Sequence, residues 1–138
     1  MPLRALIVDD EAPARSELRY LLAAHPDVEI VGEAASAPEA LALAGAVRYD
    51  VVFCDVEMPR LSGLEVARLV RDRPGRPVVV FVTAHEQYAV DAFAVEAFDY
   101  LLKPVDPDRL RLQMADQAAT ELEVARRQTR ELRERLRL

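Results

Sequence analysis

The sequence predicts an α/β fold in which helices cover a five-stranded parallel sheet, and two observations carry that expectation. Short apolar runs rich in β-branched residues occur five times. Between successive runs lie segments whose apolar residues recur at i, i+3 and i+4, the spacing of a helix face. Strands that alternate with helices in this way run parallel, because the chain crosses back over the sheet after each one.

The strand runs are Ala5 to Val8, Val28 to Ala34, Val51 to Cys54, Val78 to Val82 and Phe98 to Leu102. Glu29 and Glu33 interrupt the second run, as suits an edge strand, whereas the first, third and fourth read as central strands covered on both faces. The helix faces are Leu18-Leu21-Leu22, Ala37-Ala40-Leu41-Ala44, Val66-Leu69-Val70 and Ala89-Ala92-Phe93. Pro13 and Pro38 stand where a first helical turn begins, Ser36 is placed to cap the second helix, and Pro74-Gly75 closes the third.

A chain of 138 residues suits one domain plus an appendage. Cys54 is the single cysteine and cannot form an internal disulfide. No secretory leader opens the sequence and no apolar run approaches the roughly 20 residues that span a bilayer, so a cytoplasmic protein without a membrane segment is expected. The net charge of −6 is unevenly spread: residues 1–125 carry −10, whereas residues 126–138 carry +4 through six arginines against Glu131 and Glu134. An acidic body disfavours direct binding of nucleic acid.

In open α/β sheets, ligands bind beyond the carboxyl ends of the strands. There the first strand ends in Asp9-Asp10, the third in Asp55, the fourth in Thr83-Ala84 and the fifth in Lys103-Pro104. Taken singly each has an ordinary reading: Asp10 or Thr83 as a helix cap, Lys103 as a solvated surface lysine. Together they set three carboxylates, a hydroxyl and an ammonium around one pocket, which is costly unless a cation and an anion occupy it.

Val8-Asp9-Asp10-Glu11, Asp55-Val56-Glu57-Met58-Pro59, Gly63, Thr83-Ala84 and Tyr100-Leu101-Leu102-Lys103-Pro104 stand in the order and at the spacing of one family. Across about residues 3–120 the chain resembles the receiver domains of two-component response regulators. The resemblance implies a doubly wound, flavodoxin-like sheet of strand order 2-1-3-4-5. It implies that Asp10, Asp55 and the backbone carbonyl of Glu57 ligate Mg²⁺, with Asp9 acting through a bound water. Asp55 would attack the phosphorus of a donor, a sensor histidine kinase, while Lys103, Thr83 and Ala84 neutralise the phosphoryl oxygens. The chain would then catalyse only its own phosphoryl transfer and dephosphorylation. The resemblance further implies a cis Lys103-Pro104 bond.

In this family the switch couples the Thr83 position to an aromatic at the Tyr100 position, whose inward rotation remodels the face formed by the fourth helix, fifth strand and fifth helix. Taken alone, Tyr100 reads as a half-buried strand aromatic. Glu57 and His85 would flank the path of a hydrolytic water. Cys54 reads as a small core residue. The stretch from Thr83 to Phe93, with Ala97 to Tyr100, resembles the LytTR subclass, whose receivers precede a DNA-binding domain and control transcription.

From Asp108 to Leu138 there is neither Gly nor Pro, so an extended C-terminal helix of up to 31 residues, about 46 Å, is expected. Ala115, Ala118, Leu122, Ala125, Thr129, Leu132 and Leu136 alternate spacings of three and four, which is a heptad seam. The same tail reads nearly as well as a solvated linker. The expected organisation is a receiver domain over 1–122 and a helical extension over 123–138, pairing as a homodimer through the switch face and the tail. Asp55-Val56-Glu57 also faintly echoes the nucleophile motif of aspartate-based phosphatases, but those carry it on the first strand.

Overall fold

The computed structural model describes residues 2–59, 61–71, 77–94 and 97–115. Two compact units are distinguished, Met1–Val105 and Asp106–Leu138. In the first, the chain runs β1 (Leu3–Val8), α1 (Ala12–Leu22), β2 (Val28–Ala34), α2 (Ala37–Ala46), β3 (Val51–Cys54), α3 (Gly63–Arg71), β4 (Val78–Thr83), a 3₁₀ turn (Glu86–Tyr88), α4 (Ala89–Ala94) and β5 (Asp99–Leu102). In the second, residues 107–115 are helical. Pro74-Gly75, the boundary at 122/123 and all of the heptad seam except the exposed Ala115 lie outside the described residues.

The five strands form one parallel sheet of order β2-β1-β3-β4-β5, the flavodoxin-like arrangement. As the two glutamates suggested, β2 is an edge strand, while β1, β3 and β4 are central. Alternation along the strands sends successive side chains to opposite faces. Leu6, Val8, Val52, Cys54 and Phe81 join Ala37, Ala40, Val66, Ala67 and Val70 in one buried cluster, so α2 and α3 cover that face. Ile7, Phe53 and Val82 point to the other face, where they line a small cavity with Ala14 and Leu18 of α1.

Local chemistry sets the helix starts. Pro13 and Pro38 occupy the first turns of α1 and α2, where a missing N–H costs nothing. The Ser36 side chain accepts from the Glu39 N–H at 3.3 Å, the capping bond its position suggested. One helix face differs from the sequence pattern: Leu69 is 48% exposed, and Ala67 is buried with Val66 and Val70. Ala89 is likewise exposed, whereas Ala92 is buried.

Phe81 has no solvent-accessible surface and meets Tyr100 edge-on. Phe81→Ala is expected to cost about 3–5 kcal/mol, read as a fall in the urea midpoint without a change in slope.

Candidate functional site

The ends of β1, β3, β4 and β5 deliver their polar residues to one edge of the sheet. Asp9 follows β1 directly, and its N–H donates to the Ala34 carbonyl of β2 at 3.0 Å. Asp55 follows β3, and its N–H donates to the Val8 carbonyl at 2.9 Å, so the two acidic ends are stitched side by side. Carboxylate oxygens of Asp9, Asp10 and Asp55 all lie within 4.8 Å of one another. Asp9 and Asp55 are only 5% and 8% exposed, whereas Asp10 is open to solvent.

Three such groups would repel strongly in this setting. Lys103, one residue past β5, relieves the conflict: its ammonium donates to Asp9 Oδ2 at 2.7 Å and to Asp55 Oδ2 at 3.1 Å. Burial works to lower the pKa of this lysine, but the hydrogen bonds and charge of the two aspartates prevail and hold it above the ordinary value. The ammonium therefore stays charged across the neutral range. Its N–H group on the main chain donates to the Thr83 carbonyl at 2.9 Å, and the Lys103-Pro104 bond is cis.

Backbone donors hold the remaining carboxylate oxygens. Asp9 Oδ1 accepts from the Glu11 N–H at 2.9 Å, and Asp55 Oδ1 accepts from the Glu57 N–H at 3.2 Å. Gly63 makes the second of these turns possible. Its N–H donates to the Val56 carbonyl, and a Cβ at this position would lie 2.0 Å from the Asp55 carbonyl oxygen. Only glycine lets α3 begin this close to the strand end.

Glu11, not Asp10, occupies the N-cap position of α1, and it makes no side-chain cap bond. Thr83 is fully buried at the end of β4, where its hydroxyl accepts from the His85 N–H at 3.4 Å. Ala84 follows it, exposed, beside the site. Cys54 is buried, and burial together with Asp55 and Asp9 pushes its thiol far up, so it is a protonated core side chain.

Glu57 is exposed, and its carboxylate reaches the turn that follows β4. There Tyr88 donates to Oε1 at 2.7 Å, and His85 Nε2 lies 2.7 Å from Oε2. Tyr100, half-buried against Phe81, donates its hydroxyl to the His85 carbonyl. Its side chain is thus already directed at the turn that follows Thr83, and burial holds its phenol pKa above the usual value. Sequence reasoning missed Tyr88, whose only signal is a position three residues beyond His85. It also missed Arg15, which donates from Nη1 to the Asp9 carbonyl at 2.7 Å.

Among the described residues the donor set is three carboxylates, hard oxygen ligands that suit a divalent cation such as Mg²⁺. Among the described residues no helix is long and apolar enough to cross a membrane.

A doubly wound sheet with an acidic cluster and a lysine at its carboxyl edge defines a class, and comparison with known proteins identifies it. Residues 5–115 match the model of the response regulator receiver domain, and the chain belongs to that family. It is 51% identical over 108 residues to the transcriptional regulatory protein BtsR of Salmonella typhi, covering 78% of this chain and 45% of that protein. The transcriptional regulatory protein BtsR of Escherichia coli is 48% identical over 113 residues, covering 82% and 47%. The chain thus spans somewhat less than half the length of these curated relatives. Among solved structures, the response regulatory domain of mrkE from Klebsiella pneumoniae superposes with a TM-score of 0.80 at 33% identity, over 86% of this chain and 97% of that one. The receiver domain of AraT from Geobacillus stearothermophilus gives 0.79 at 35%, over 89% and 98%.

Gly63→Ala is expected to disturb the site and the fold together. The displaced Asp55 carbonyl should cost about 1–3 kcal/mol, the range of an overpacked position. Thermal denaturation checks the loss. A variant as stable as the parent would show that the loop yields without strain.

Proposed function

We propose that this chain is a phosphoacceptor in which Asp55 takes a phosphoryl group from a sensor histidine kinase, and that the modified state switches an output surface. The observation that carries the proposal is the position of Asp55: nearly buried at the end of β3, with one carboxylate oxygen on a charged lysine and the other on a backbone N–H. A carboxylate so placed needs no base to act as a nucleophile. As one of its oxygens bonds to phosphorus, the bond from phosphorus to the donor's leaving group breaks, and the product is an acyl phosphate.

The other residues serve that transfer by position. An ammonium has three N–H donors, and Lys103 spends two on Asp9 and Asp55, which leaves the third for a phosphoryl oxygen. The Thr83 hydroxyl accepts from His85, so its own proton is available to donate. Ala84 offers its backbone N–H. Asp10, Asp55 and the Glu57 carbonyl would hold Mg²⁺, with Asp9 acting through water, and the bound ion would supply positive charge to the phosphoryl oxygens. Glu57 and His85 flank the approach of a hydrolytic water.

Output follows from the added charge, about −1.5 to −2. Drawing Thr83 toward the phosphoryl group shifts the turn on which the Tyr100 hydroxyl rests. The face that carries α4 and β5 would then change, and the chain would pair as a homodimer through this switch face and the C-terminal heptads. The relatives are named transcriptional regulators, so control of transcription through a DNA-binding region outside this span is the fitting output. Assignment to the LytTR subclass rests on the residues from Thr83 to Tyr100 alone.

Incubation with acetyl phosphate and Mg²⁺, read by intact mass, should add one phosphoryl group to the chain and none to Asp55→Asn. An unmodified parent chain, or labelling retained in the variant, would overturn the proposal. Steady turnover of the donor without a modified protein would favour a phosphatase instead.

A further inference from the structure

We propose that Arg15 is a positioning residue for the acidic pair after β1, and that it sets how tightly the carboxylate cluster holds a divalent cation. The inference rests on the reading of Asp9, Asp10 and Asp55 as a Mg²⁺ site.

A single peptide unit joins Asp9 to Asp10. Its carbonyl oxygen belongs to Asp9, and the peptide unit is planar, so turning that carbonyl swings the Cα of Asp10 and its carboxylate. Arg15 Nη1 donates to this oxygen at 2.7 Å. The rest of Asp9 is held elsewhere, its N–H by Ala34 and its carboxylate by Lys103 and the Glu11 N–H. Asp10 is exposed, so the orientation of this one peptide governs whether its carboxylate meets those of Asp9 and Asp55.

Arg15 is itself anchored. Its Nε lies 3.5 Å from Glu33 Oε1, and Arg19 holds the other oxygen of Glu33 at 2.6 Å. Glu33 pairs in register with Ile7, two residues before Asp9. The result is a closed circuit from the end of β1, through a side chain of α1, to β2 and back across the sheet. Only 19% of the Arg15 side chain is exposed, so it is ordered among partners rather than trailing in solvent. A guanidinium can donate to the carbonyl while keeping its charge beside the carboxylate because its donors form a rigid, planar fork, and a lysine cannot do both equally well.

Charge and positioning make opposite demands on the outcome. A cation beside the cluster repels Mg²⁺, so if Arg15 acted through charge alone, its removal would tighten binding. If it acts by fixing the Asp9–Asp10 peptide, its removal loosens binding.

Isothermal titration of the full chain with Mg²⁺ separates the two. Arg15→Ala should raise the Kd about tenfold, as loss of a group that orients metal ligands does. Arg15→Lys should recover part of that loss. Arg19→Ala, which touches Glu33 but not Asp9, should leave the Kd within about twofold, a change below the tenfold that 1.4 kcal/mol represents. An unchanged or lower Kd in Arg15→Ala, or an equal rise in Arg19→Ala, overturns the inference. Should Arg15→Ala fail to fold, the lysine variant decides: a Kd equal to that of the parent contradicts the role. Binding by the parent chain that is lost in Asp10→Asn verifies the underlying site. A parent that binds no Mg²⁺ refutes that site and the inference with it.

Discussion

The ammonium of Lys103, standing between Asp9 and Asp55, is the contact on which the rest of the site depends. Two carboxylates about 4 Å apart repel by about 4 kcal/mol at the effective dielectric near a protein surface. Asp9 and Asp55 also lie over the apolar residues Ile7, Phe53 and Val82, which leave little water to screen them. The lysine cancels much of this repulsion and orients both groups. It also occupies one oxygen of each aspartate, oxygens that a cation bound here would have to share with it.

That contact is possible because of strand order. The sheet places β1 and β3 side by side in register, so Val8 and Cys54, the residues before the two aspartates, are paired. Lys103 comes from beyond β4, and its main-chain bond to Thr83 fixes where its side chain starts. Gly63 completes the frame by letting α3 begin against the backbone of Asp55. Opposite the lysine, Glu57 ties the β3–α3 loop to Tyr88 and His85, and the His85 carbonyl receives Tyr100. The chain thus carries a continuous series of polar contacts, hydrogen bonds and one ion pair, from Asp55 through Glu57 and His85 to the aromatic on β5.

Much of this was legible in the sequence, for physical reasons that can be named. Central strands announce themselves as unbroken apolar runs because both faces are covered, and β1, β3 and β4 fell within a few residues of their expected bounds. The edge position of β2 was legible from Glu29 and Glu33. The acidic cluster was legible because strand ends in a parallel sheet share one edge. What escaped depends on tertiary register. Arg15 and Glu33 meet only once α1 is laid across β1 and β2, and no local pattern encodes that meeting. Tyr88 reaches Glu57 across 31 residues of sequence. Leu69 misled because i, i+3 and i+4 spacing weighs a leucine above a neighbouring alanine, whereas α3 turns the smaller Ala67 toward the sheet, where a close approach favours it.

Lys103 compensates a carboxylate cluster suited to receive a divalent cation. The most direct test is thermal melting of Lys103→Met beside the parent, each with and without Mg²⁺. Without the ion, the variant should melt several degrees lower, because Asp9 and Asp55 then face each other uncompensated. With saturating Mg²⁺ the gap should narrow, since the ion replaces the missing charge and no longer competes with the ammonium. A variant that melts with the parent in the absence of Mg²⁺, or gains no more from the ion than the parent does, would contradict the claim.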